Sequence, residues 1–326
     1  MALHPPYNST YPLSAPLLTS YGTRFRIGVI TDLDTESKHK DKKNTWISYY
    51  MKGYLTLFSD HSAVKIDWDP ESVVLESTIS AKGRGMELSE LVAFNGKLYT
   101  CDDRTGIVYE ITQENQVLPF ALLSDGDGRQ AKGFKCEWAT VKDKALWVGG
   151  LGKEWTTTTG IVQNFWPQWV KSVGHTGDIF NIDWITNYNS LRQKGGFDAP
   201  GYLIHESGVW SDVHQQWFFL PRRASTETYE EVADEQRASN VMFRADEHFQ
   251  EISMIRVGPL HPTHGFSSFK FIPGTRDQII VALKSEEKDA EPVASYIMAF
   301  TINGDIILEE TKIGDYPFKF EGIEFI

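Results

Sequence analysis

The sequence of 326 residues lacks the features of a membrane-spanning chain. No segment reaches the roughly 18 apolar residues that a spanning helix needs, and the N-terminus has neither a basic beginning nor an apolar core. Cysteine is scarce as well: the chain contains Cys101 and Cys136, which neither establish nor exclude a disulfide. We therefore expect a soluble chain with no membrane span, long enough to bury a large hydrophobic core.

Positive charge is also in deficit. Lysine and arginine number 32 against 44 acidic residues, which gives a formal net charge of −12. The field around such a molecule repels phosphate backbones, so we expect no nucleic-acid partner. An acidic surplus belongs either to a solvated surface or to cation sites, and only the positions of the acids separate these two interpretations.

The first 23 residues differ in composition from the rest. Residues 1–23 begin MALHPPYNSTYPLSAP and are predicted to form a flexible arm ahead of a single domain over residues 24–326. The arm contains a glycosylation sequon at Asn8, which is typical of the secretory route. We therefore expect a glycoprotein that is secreted or lies in the ER or Golgi lumen. In such a compartment a Cys101–Cys136 disulfide is one possibility, and two free buried thiols are the other.

Aromatic residues favour strands over helices in this chain. There are 10 Trp, 13 Tyr and 19 Phe, many of them in short runs such as WFFL. In residues 85–111, three strand-length runs are separated by an Asn95-Gly96 turn and an acidic turn, and VLPFALL follows as a fourth run. Four antiparallel strands in about 35 residues are the size of one propeller blade.

This unit recurs along the chain, and each copy begins with an oxygen-bearing residue. The five starts are Ser89, Glu137, Glu206, Ser267 and Glu321, separated by 48, 69, 61 and 54 residues. The last start is followed by one strand only, so its partners must come from the N-terminal runs at 25–34, 53–60 and 63–69. The sequence therefore predicts an all-β fold, a five-bladed β-propeller closed by pairing of N- and C-terminal strands. Two sandwiches in tandem are the alternative, but they require a central Pro/Gly/Ser-rich linker, which the sequence lacks.

In a propeller the innermost strand of each blade lines the central tunnel, so the five starts would form a ring around the axis. Three carboxylates and two hydroxyls in such a ring repel and desolvate one another unless a cation lies among them. A set of oxygen ligands with flexible geometry suits Ca²⁺ better than Mg²⁺. The sequence therefore predicts a metal in the central tunnel; the alternative is that these residues merely begin strands in solvent.

Acidic bends lie near the same ends of the units as several cationic side chains. Asp32 follows a strand in ITDLDTES, and Asp103 lies in the turn CDDRTG. Carboxylates that activate water beside cations that bind phosphate oxygens are the groups needed to hydrolyse a phosphoanhydride. No Walker loop, HExxH or GxSxG motif offers competing chemistry. The candidate phosphate-binding residues are Arg84, Arg104, Arg223 and Lys284.

Long motifs then point to a family. The chain contains, in order, DLDTES, KGRGMELSEL, LYTCDDRTG, VGGLGKEWTTTTG, GYLIHES, FFLPRRAS, THGFSSFKFIPGT and KFEGIEFI. With these motifs it resembles the calcium-activated nucleotidases of the apyrase family from about Arg24 to Ile326. The resemblance implies a five-bladed propeller with Ca²⁺ in the central tunnel and a nucleotide in a cleft above it. It also implies hydrolysis of nucleoside di- and triphosphates such as UDP, GDP and ADP.

The resemblance also assigns roles to residues. It places the family's calcium ligands on Ser89, Glu90, Glu137, Glu206, Ser267 and Glu321. Glu90 is the one position that the spacing did not predict, and the family pattern often has Asp there. The catalytic residues fall on Asp32, Asp103 and Arg222, with one aspartate orienting or deprotonating the attacking water and Ca²⁺ acting as a Lewis acid. Gln168 stands where an acid is expected, which leaves the preferred nucleotide open.

The predicted function is therefore calcium-dependent hydrolysis of nucleoside di- and triphosphates. Two alternatives remain at this point. One is a non-catalytic, calcium-stabilised propeller that serves as a partner-binding platform, and the other is a different propeller enzyme, such as a metal-dependent lactonase. The basic segments PRRAS and KGRG favour a phosphate substrate over a neutral lactone. The sequence leaves open whether the protein forms a homodimer.

Overall fold

Strand pairing arranges the chain into five antiparallel sheets. The computed structural model describes residues 5–288, 291–315 and 318–326, and in them 23 β-strands form these sheets and one two-stranded ribbon. The chain begins with β1 (Leu17–Leu18), β2 (Gly22–Asp32), β3 (Trp46–Phe58) and β4 (Val64–Ser77).

The next two sheets are complete blades in chain order. Blade 1 consists of β5 (Leu88–Phe94), β6 (Lys97–Asp102), β7 (Ile107–Ile111) and β8 (Val117–Leu122). Blade 2 consists of β9 (Trp138–Lys142), β10 (Ala145–Gly149), β13 (Trp169–Gly174) and β14 (Ile179–Asp183), with a ribbon of β11 (Trp155–Thr156) and β12 (Val162–Asn164) inserted between its second and third strands.

Two further blades and a closing strand complete the ring. Blade 3 consists of β15 (Tyr202–Ser211), β16 (Gln216–Ser225), β17 (Val241–Asp246) and β18 (Ile252–Arg256). Blade 4 consists of β19 (His264–Phe271), β20 (Ile279–Lys288), β21 (Glu291–Thr301) and β22 (Ile306–Lys312). The last strand, β23 (Lys319–Phe325), pairs with β2 and becomes the innermost strand of blade 5, whose other strands are β2, β3 and β4.

Helical structure is confined to short connections. The longer helix, α1 (Ile185–Gly195), follows blade 2, and α2 (Glu231–Asp234) lies between β16 and β17. Two 3₁₀ turns span Asp34–Ser37 and Trp166–Gln168. Among the residues that the structure describes, no helix is long and apolar enough to cross a membrane.

The innermost strands β5, β9, β15, β19 and β23 pack side by side around the axis and define a tunnel. Neighbouring inner strands run in the same direction: the backbone of Gly322 lies against Glu90 and Leu91, and the backbone N–H of Ala93 donates to the Glu324 carboxylate at 2.8 Å. We call the end of the tunnel where these strands begin the upper end, and the end where they finish the lower end.

Hydrophobic packing joins every blade to the next. Five buried apolar clusters each combine residues of two neighbouring blades, including the pair formed by blades 5 and 1, where Leu75 meets Leu91. All seven residues of β23 are buried, whereas the outermost strand β14 is mostly exposed. Since each fully buried aliphatic or aromatic side chain stabilises the fold by roughly 1.5–3 kcal/mol, the junctions hold the ring closed.

The predicted architecture is confirmed. The fold is all-β, the blades number five, and β23 pairs with β2 in antiparallel register, with Val29 opposite Ile323. The Asn95-Gly96 turn is present too, with positive φ at both residues. One connected ring excludes two tandem sandwiches.

Several elements differ from the prediction. The strand predicted at 53–60 spans Trp46–Phe58, because the chain stays extended through a β-bulge next to Gly53. The strand predicted at 63–69 likewise extends to Ser77. The outer strands of blade 2 and helix α1 had no counterpart in the sequence analysis.

The N-terminal arm lies across the lower end of the tunnel. The Tyr11 hydroxyl donates to Glu324 at 3.1 Å, Leu13 N–H donates to the Phe325 carbonyl at 3.4 Å, and the Ser14 hydroxyl donates to the Ile326 carbonyl at 2.5 Å. The flexibility of residues 1–23 and the domain boundary at residue 24 stay predictions.

Candidate active site

Four of the five start residues lie at β-bulges. In blade 1, Leu88 pairs with Asp102 and Glu90 with Cys101, so that Ser89 has no partner in the register. Similar interruptions leave three further start residues unpaired: Glu206, Ser267 and Glu321. A bulge redirects a side chain and commonly lies next to a functional site, so the irregular pairing marks the upper end of the tunnel as a built site.

Three glutamates from different blades meet at this upper end. Arg222 places Nη1 2.9 Å from Oε2 of Glu206 and 3.9 Å from Oε1 of Glu321. Burial, opposed by Lys135 and reinforced by Glu206, raises the pKa of Glu137 to about 8. Burial also raises the pKa of Glu321 well above its ordinary value. At neutral pH the carboxyls of Glu137 and Glu321 therefore favour the protonated form unless further positive charge lies among them.

Some oxygen atoms of this ring have no hydrogen-bond partner. The buried Ser89 hydroxyl has none, and Glu137 Oε1 has only an ion pair with Lys135 Nζ at 2.7 Å. Ser267, by contrast, donates its hydroxyl to the Phe320 carbonyl at 2.9 Å. Leaving a buried polar atom unpaired costs about 1–3 kcal/mol, so such atoms point to a ligand that satisfies them.

Glu90 points away from the other predicted ligands. Its Oε1 accepts hydrogen bonds from the Ser268 hydroxyl at 2.7 Å and from Leu91 N–H at 2.9 Å, and lies 3.1 Å from Lys270 Nζ. These partners lie further down the tunnel than the ring. Five of the six predicted ligands therefore lie at the upper end, and the role of Glu90 stays a prediction.

A second tier of side chains lies two residues before each start. Lys135 precedes Glu137 by two positions, and Lys319 precedes Glu321 in the same way at 3.5 Å. The corresponding positions, in or just before the five inner strands, are Glu87, Lys135, Ile204, Gly265 and Lys319. The sequence analysis missed this tier, although the repeated Lys-x-Glu in FKCEW and FKFEG was a usable signal.

Gly265 makes room in this tier for two arginines. A Cβ atom at Gly265 would lie 2.5 Å from Cγ of Arg222 and 2.9 Å from Nη1 of Arg223. Any larger residue would therefore displace one of the guanidinium side chains.

Asp32 and Lys319 form the first half of the rim above the ring. Lys319 Nζ lies 3.0 Å from Asp32 and 2.8 Å from Asp34, while Asp32 Oδ1 accepts the Asp34 N–H at 2.7 Å. Burial raises the pKa of Asp32 to about 7 against the opposing effect of Lys319, and the carboxylates of Asp34, Asp103 and Glu87 raise it further.

Asp103 and Lys135 form the second half. Asp103 forms a short hydrogen bond to Lys135 Nζ, while its Oδ1 lies 3.7 Å from Arg104 and has no hydrogen-bond partner. Burial alone would raise the pKa of Asp103, but Lys135 and Arg104 hold it below its ordinary value. Its neighbour Asp102 builds the turn instead, because it accepts N–H donations from Met86 and Arg104 at 2.9 Å each.

Glu87 connects the cationic side chains of the rim. Arg84 binds it with two hydrogen bonds of 2.7 and 2.6 Å, and Arg104 adds one of 2.8 Å. Ligand oxygens of Asp32, Asp34 and Glu87 lie within 4.8 Å of one another, so this triad is a second arrangement that could hold a metal ion.

The two arginines of PRRAS differ in their surroundings. Arg222 donates to Glu206 at 2.9 Å and to Ser285 and Glu287 at 2.6 Å each, and these acids raise its pKa despite burial. Arg223 is 2% exposed, yet its Nε and Nη1 have no hydrogen-bond partner and its nearest carboxylate, Asp234, is 3.6 Å away. A buried guanidinium with free donors is suited to binding an anion.

Lys284 lies apart from these residues. It pairs with Glu310 at 2.8 Å and lies 4.8 Å from the centre of the Phe266 ring. Its neighbour Ser285 points to Arg222, and successive side chains of a strand point to opposite faces. The structure therefore brings Arg84, Arg104 and Arg223 near the candidate catalytic residues and leaves Lys284 on the other face of β20.

A cleft of about 600 Å³ opens beside Asp34. Tyr49 and Phe318 line it and stack with ring centroids 4.8 Å apart. The cleft therefore connects an aromatic wall to the acidic rim.

Fold and site together define a propeller protein with a buried acidic ring at one end of its tunnel and a rim of paired carboxylates and cations above it. The Apyrase family model matches residues 33–326. The chain belongs to the apyrase family.

Similar proteins come from vertebrates and invertebrates. The chain is 58% identical to the soluble calcium-activated nucleotidase 1 of Rattus norvegicus over 320 residues, which cover 98% of this chain and 78% of that protein. It is 47% identical to an apyrase of Caenorhabditis elegans (92% and 84% covered) and 44% identical to an apyrase of Cimex lectularius (98% and 87% covered). A virginiamycin B lyase structure from Staphylococcus aureus aligns over 94% of this chain and 95% of that chain at 13% identity, but its TM-score of 0.35 is too low to support a conclusion.

Proposed function

We propose that this protein hydrolyses nucleoside di- and triphosphates of the UDP, GDP and ADP class in a calcium-dependent reaction that releases phosphate. Family membership and the names of the relatives, calcium-activated nucleotidase and apyrase, support this function. The observation that carries it is Arg223, a buried guanidinium with free donors beside an acidic ring.

The ring suits calcium better than the triad of Asp32, Asp34 and Glu87 does. Carboxylates of both sets have cationic partners, but the ring also contains a buried hydroxyl, Ser89 Oγ, that has no hydrogen-bond partner. The ring offers oxygen donors alone, which is the set that Ca²⁺ prefers. A bound Ca²⁺ would supply the positive charge that lets the ring carboxylates ionise and that offsets the charge of phosphate oxygens.

We assign the proton transfer to Asp32. A general base works best when its pKa lies near the operating pH, and the pKa of Asp32 is about 7. Asp103 is held ionised by Lys135, so it accepts hydrogen bonds and orients the attacking water rather than taking its proton. Lys319 forms ion pairs with both Asp32 and Glu321, and it thereby holds Asp32 in place.

The arginines divide between binding and positioning. Arg223 has free donors for phosphate oxygens, and Arg84 and Arg104 are about one-third exposed at the rim. Arg222 has acceptors on three sides, so it fixes the positions of Glu206 and Glu287. We therefore expect Arg222 to be required for activity as a positioning residue.

The test is phosphate release from a panel of UDP, GDP, ADP and ATP at fixed free calcium. We expect turnover with calcium, loss with EGTA and poor rescue by magnesium, and the panel identifies the preferred nucleotide. Equal activity with magnesium alone would contradict the calcium assignment. Absence of turnover with every nucleotide would favour the non-catalytic platform.

Location in the secretory pathway remains a proposal. Asn8, in the sequon of the arm, is exposed, and its side-chain oxygen accepts hydrogen bonds from Thr10. Expression in a secreting eukaryotic cell should give a product whose mass falls on treatment with a glycosidase, and Asn8→Gln should abolish that fall.

A further inference from the structure

The two cysteines of the chain come from different blades and meet at one junction. Cys101 lies on β6 of blade 1, and Cys136 lies two residues before β9 of blade 2. Both belong to the apolar cluster between these blades, with exposures of 2% and 0%. In the structure both are free thiols, and a hydrogen bond joins their side chains.

Contacts beside the thiols hold the same two segments together. Lys135, the neighbour of Cys136, bonds to Asp103, which lies two residues after Cys101. Lys135 also pairs with Glu137 at 2.7 Å. The approach of the two chain segments is therefore fixed by an ion-pair bridge as well as by apolar packing.

We propose that Cys101 and Cys136 form a disulfide that joins blade 1 to blade 2 beside the acidic ring and stabilises this junction. The inference stands apart from the proposed nucleotidase function, because it depends only on the contact between the two blades. No nearby third cysteine competes, since the chain contains two.

The oxidation needs an acceptor of two electrons, and a small-molecule disulfide such as oxidised glutathione supplies it. A cysteine thiolate attacks one glutathione sulfur and releases one glutathione thiol. The second cysteine then attacks the mixed disulfide and releases the other. One Sγ–Sγ bond forms in the protein, one S–S bond of glutathione breaks, and the two protein thiol protons end on the two glutathione thiols.

The burial of both thiols determines at which stage of folding the oxidation takes place. Oxidants do not reach thiols that are at most 2% exposed in the folded protein, so the bond forms while the chain folds. Once formed, it closes the loop from residue 101 to residue 136 and restricts the unfolded state, which stabilises the folded one.

The decisive measurement uses the full chain folded with a mixture of reduced and oxidised glutathione, and a second sample folded with dithiothreitol. Each sample is denatured with iodoacetamide and without reductant, and its intact mass is determined. We expect no carbamidomethyl group in the oxidised sample and two in the reduced one, with residues 101 and 136 linked in a non-reduced peptide map. Two alkylated cysteines in the oxidised sample, or a bond between two chains, would overturn the proposal.

A double variant separates the bond from the packing of the thiols. Cys101→Val with Cys136→Ala keeps small apolar groups in the cluster and removes both thiols. We expect dithiothreitol to lower the unfolding temperature of the oxidised wild type by several degrees and to leave that of the double variant unchanged. An equal fall in both proteins, or none in the wild type, would contradict the stabilising role.

Discussion

Buried acidic groups at the two ends of the tunnel differ in their hydrogen bonding. At the lower end, Glu324 accepts hydrogen bonds from the N–H groups of Ala93 and Phe325 at 2.8 Å each and from the Tyr11 hydroxyl at 3.1 Å. At the upper end, the buried Ser89 hydroxyl lacks a hydrogen-bond partner, and Glu137 Oε1 is paired with Lys135 alone. Both ends are buried, so burial alone does not identify a site. The difference is that the chain satisfies its own acid at the lower end, whereas the upper end keeps a buried oxygen atom without a partner.

Removing the proposed base should have the largest effect. Asp32→Asn cannot accept a proton, so we expect kcat to fall by about 100-fold or more. The increase in unfolding temperature on adding calcium should persist, because the ring is intact. Steady-state phosphate release and thermal unfolding measure the two effects; Asp60→Asn, in an exposed turn, is the control. Unchanged kcat would exclude Asp32 as the base.

A pair of variants on one strand tests the difference between the two ends. Glu321→Gln removes a charge at the upper end and Glu324→Gln removes one at the lower end, three residues further along β23. We expect Glu321→Gln to raise the calcium concentration needed for half-maximal activity by about tenfold or more, since even indirect supports of a metal ligand cost that much. Glu324→Gln should lower stability and leave the calcium requirement unchanged. Equal calcium requirements in the two variants would contradict the proposed difference between the upper and lower ends of the tunnel.

Loss of the free guanidinium should weaken substrate binding. Arg223→Met removes donors to a phosphate group, and hydrogen bonds to charged groups contribute about 1.5–3 kcal/mol, so KM should rise about tenfold or more. Arg244→Met is the matched control, because that arginine lies over the Phe218 ring in an outer strand of blade 3. A change in kcat without a change in KM would contradict a binding role.

The pH dependence of calcium stabilisation follows from the raised pKa of Glu137. Its ordinary value is 4.5 and its value in the fold is about 8, so the metal-free fold gains stability from protonation at low pH. That contribution is complete below about pH 4.5 and is lost as the pH rises through about 8. Calcium replaces the proton, so the calcium-induced rise in unfolding temperature should be small at pH 5 and largest above pH 8. Thermal unfolding with calcium and with EGTA, measured from pH 5 to above pH 8, checks this expectation. An equal calcium-induced shift at the lowest and the highest pH would contradict it.

The smallest expected effect lies at the lower end. Tyr11→Phe removes one hydrogen bond to Glu324, so the free energy of unfolding should fall by about 1 kcal/mol. The calcium requirement should not change. Denaturant unfolding measures the loss, and Tyr21→Phe, elsewhere in the arm, serves as the control; a shift in calcium requirement would show that the lower end communicates with the ring.

Sequence reasoning located the ring because the start residues recur at the same point of each unit. Glu137, Glu206 and Glu321 were predicted from spacing, and their contacts with Arg222 and Lys135 place them at one end of the tunnel. The bulges at Ser89 and Ser267 could not be predicted from the sequence, since register depends on pairing between strands rather than on local sequence.

Other residues show where one-dimensional patterns fail. Lys284 is a cationic residue of a blade strand like the other candidates, but strand alternation turns it away from Arg222. Arg222 and Arg223 are adjacent and identical in type, yet only the fold reveals that one is enclosed by acids and the other has free donors. Such distinctions arise from tertiary contacts between blades.

The N-terminal arm joins the C-terminal end of the chain at the lower end of the tunnel. Tyr11, Leu13 and Ser14 bind Glu324, Phe325 and Ile326, so the first and last residues of the domain hold each other in place. Glu324 also accepts a hydrogen bond from Ala93 of blade 1, so removing the arm should loosen the junction at which the ring closes.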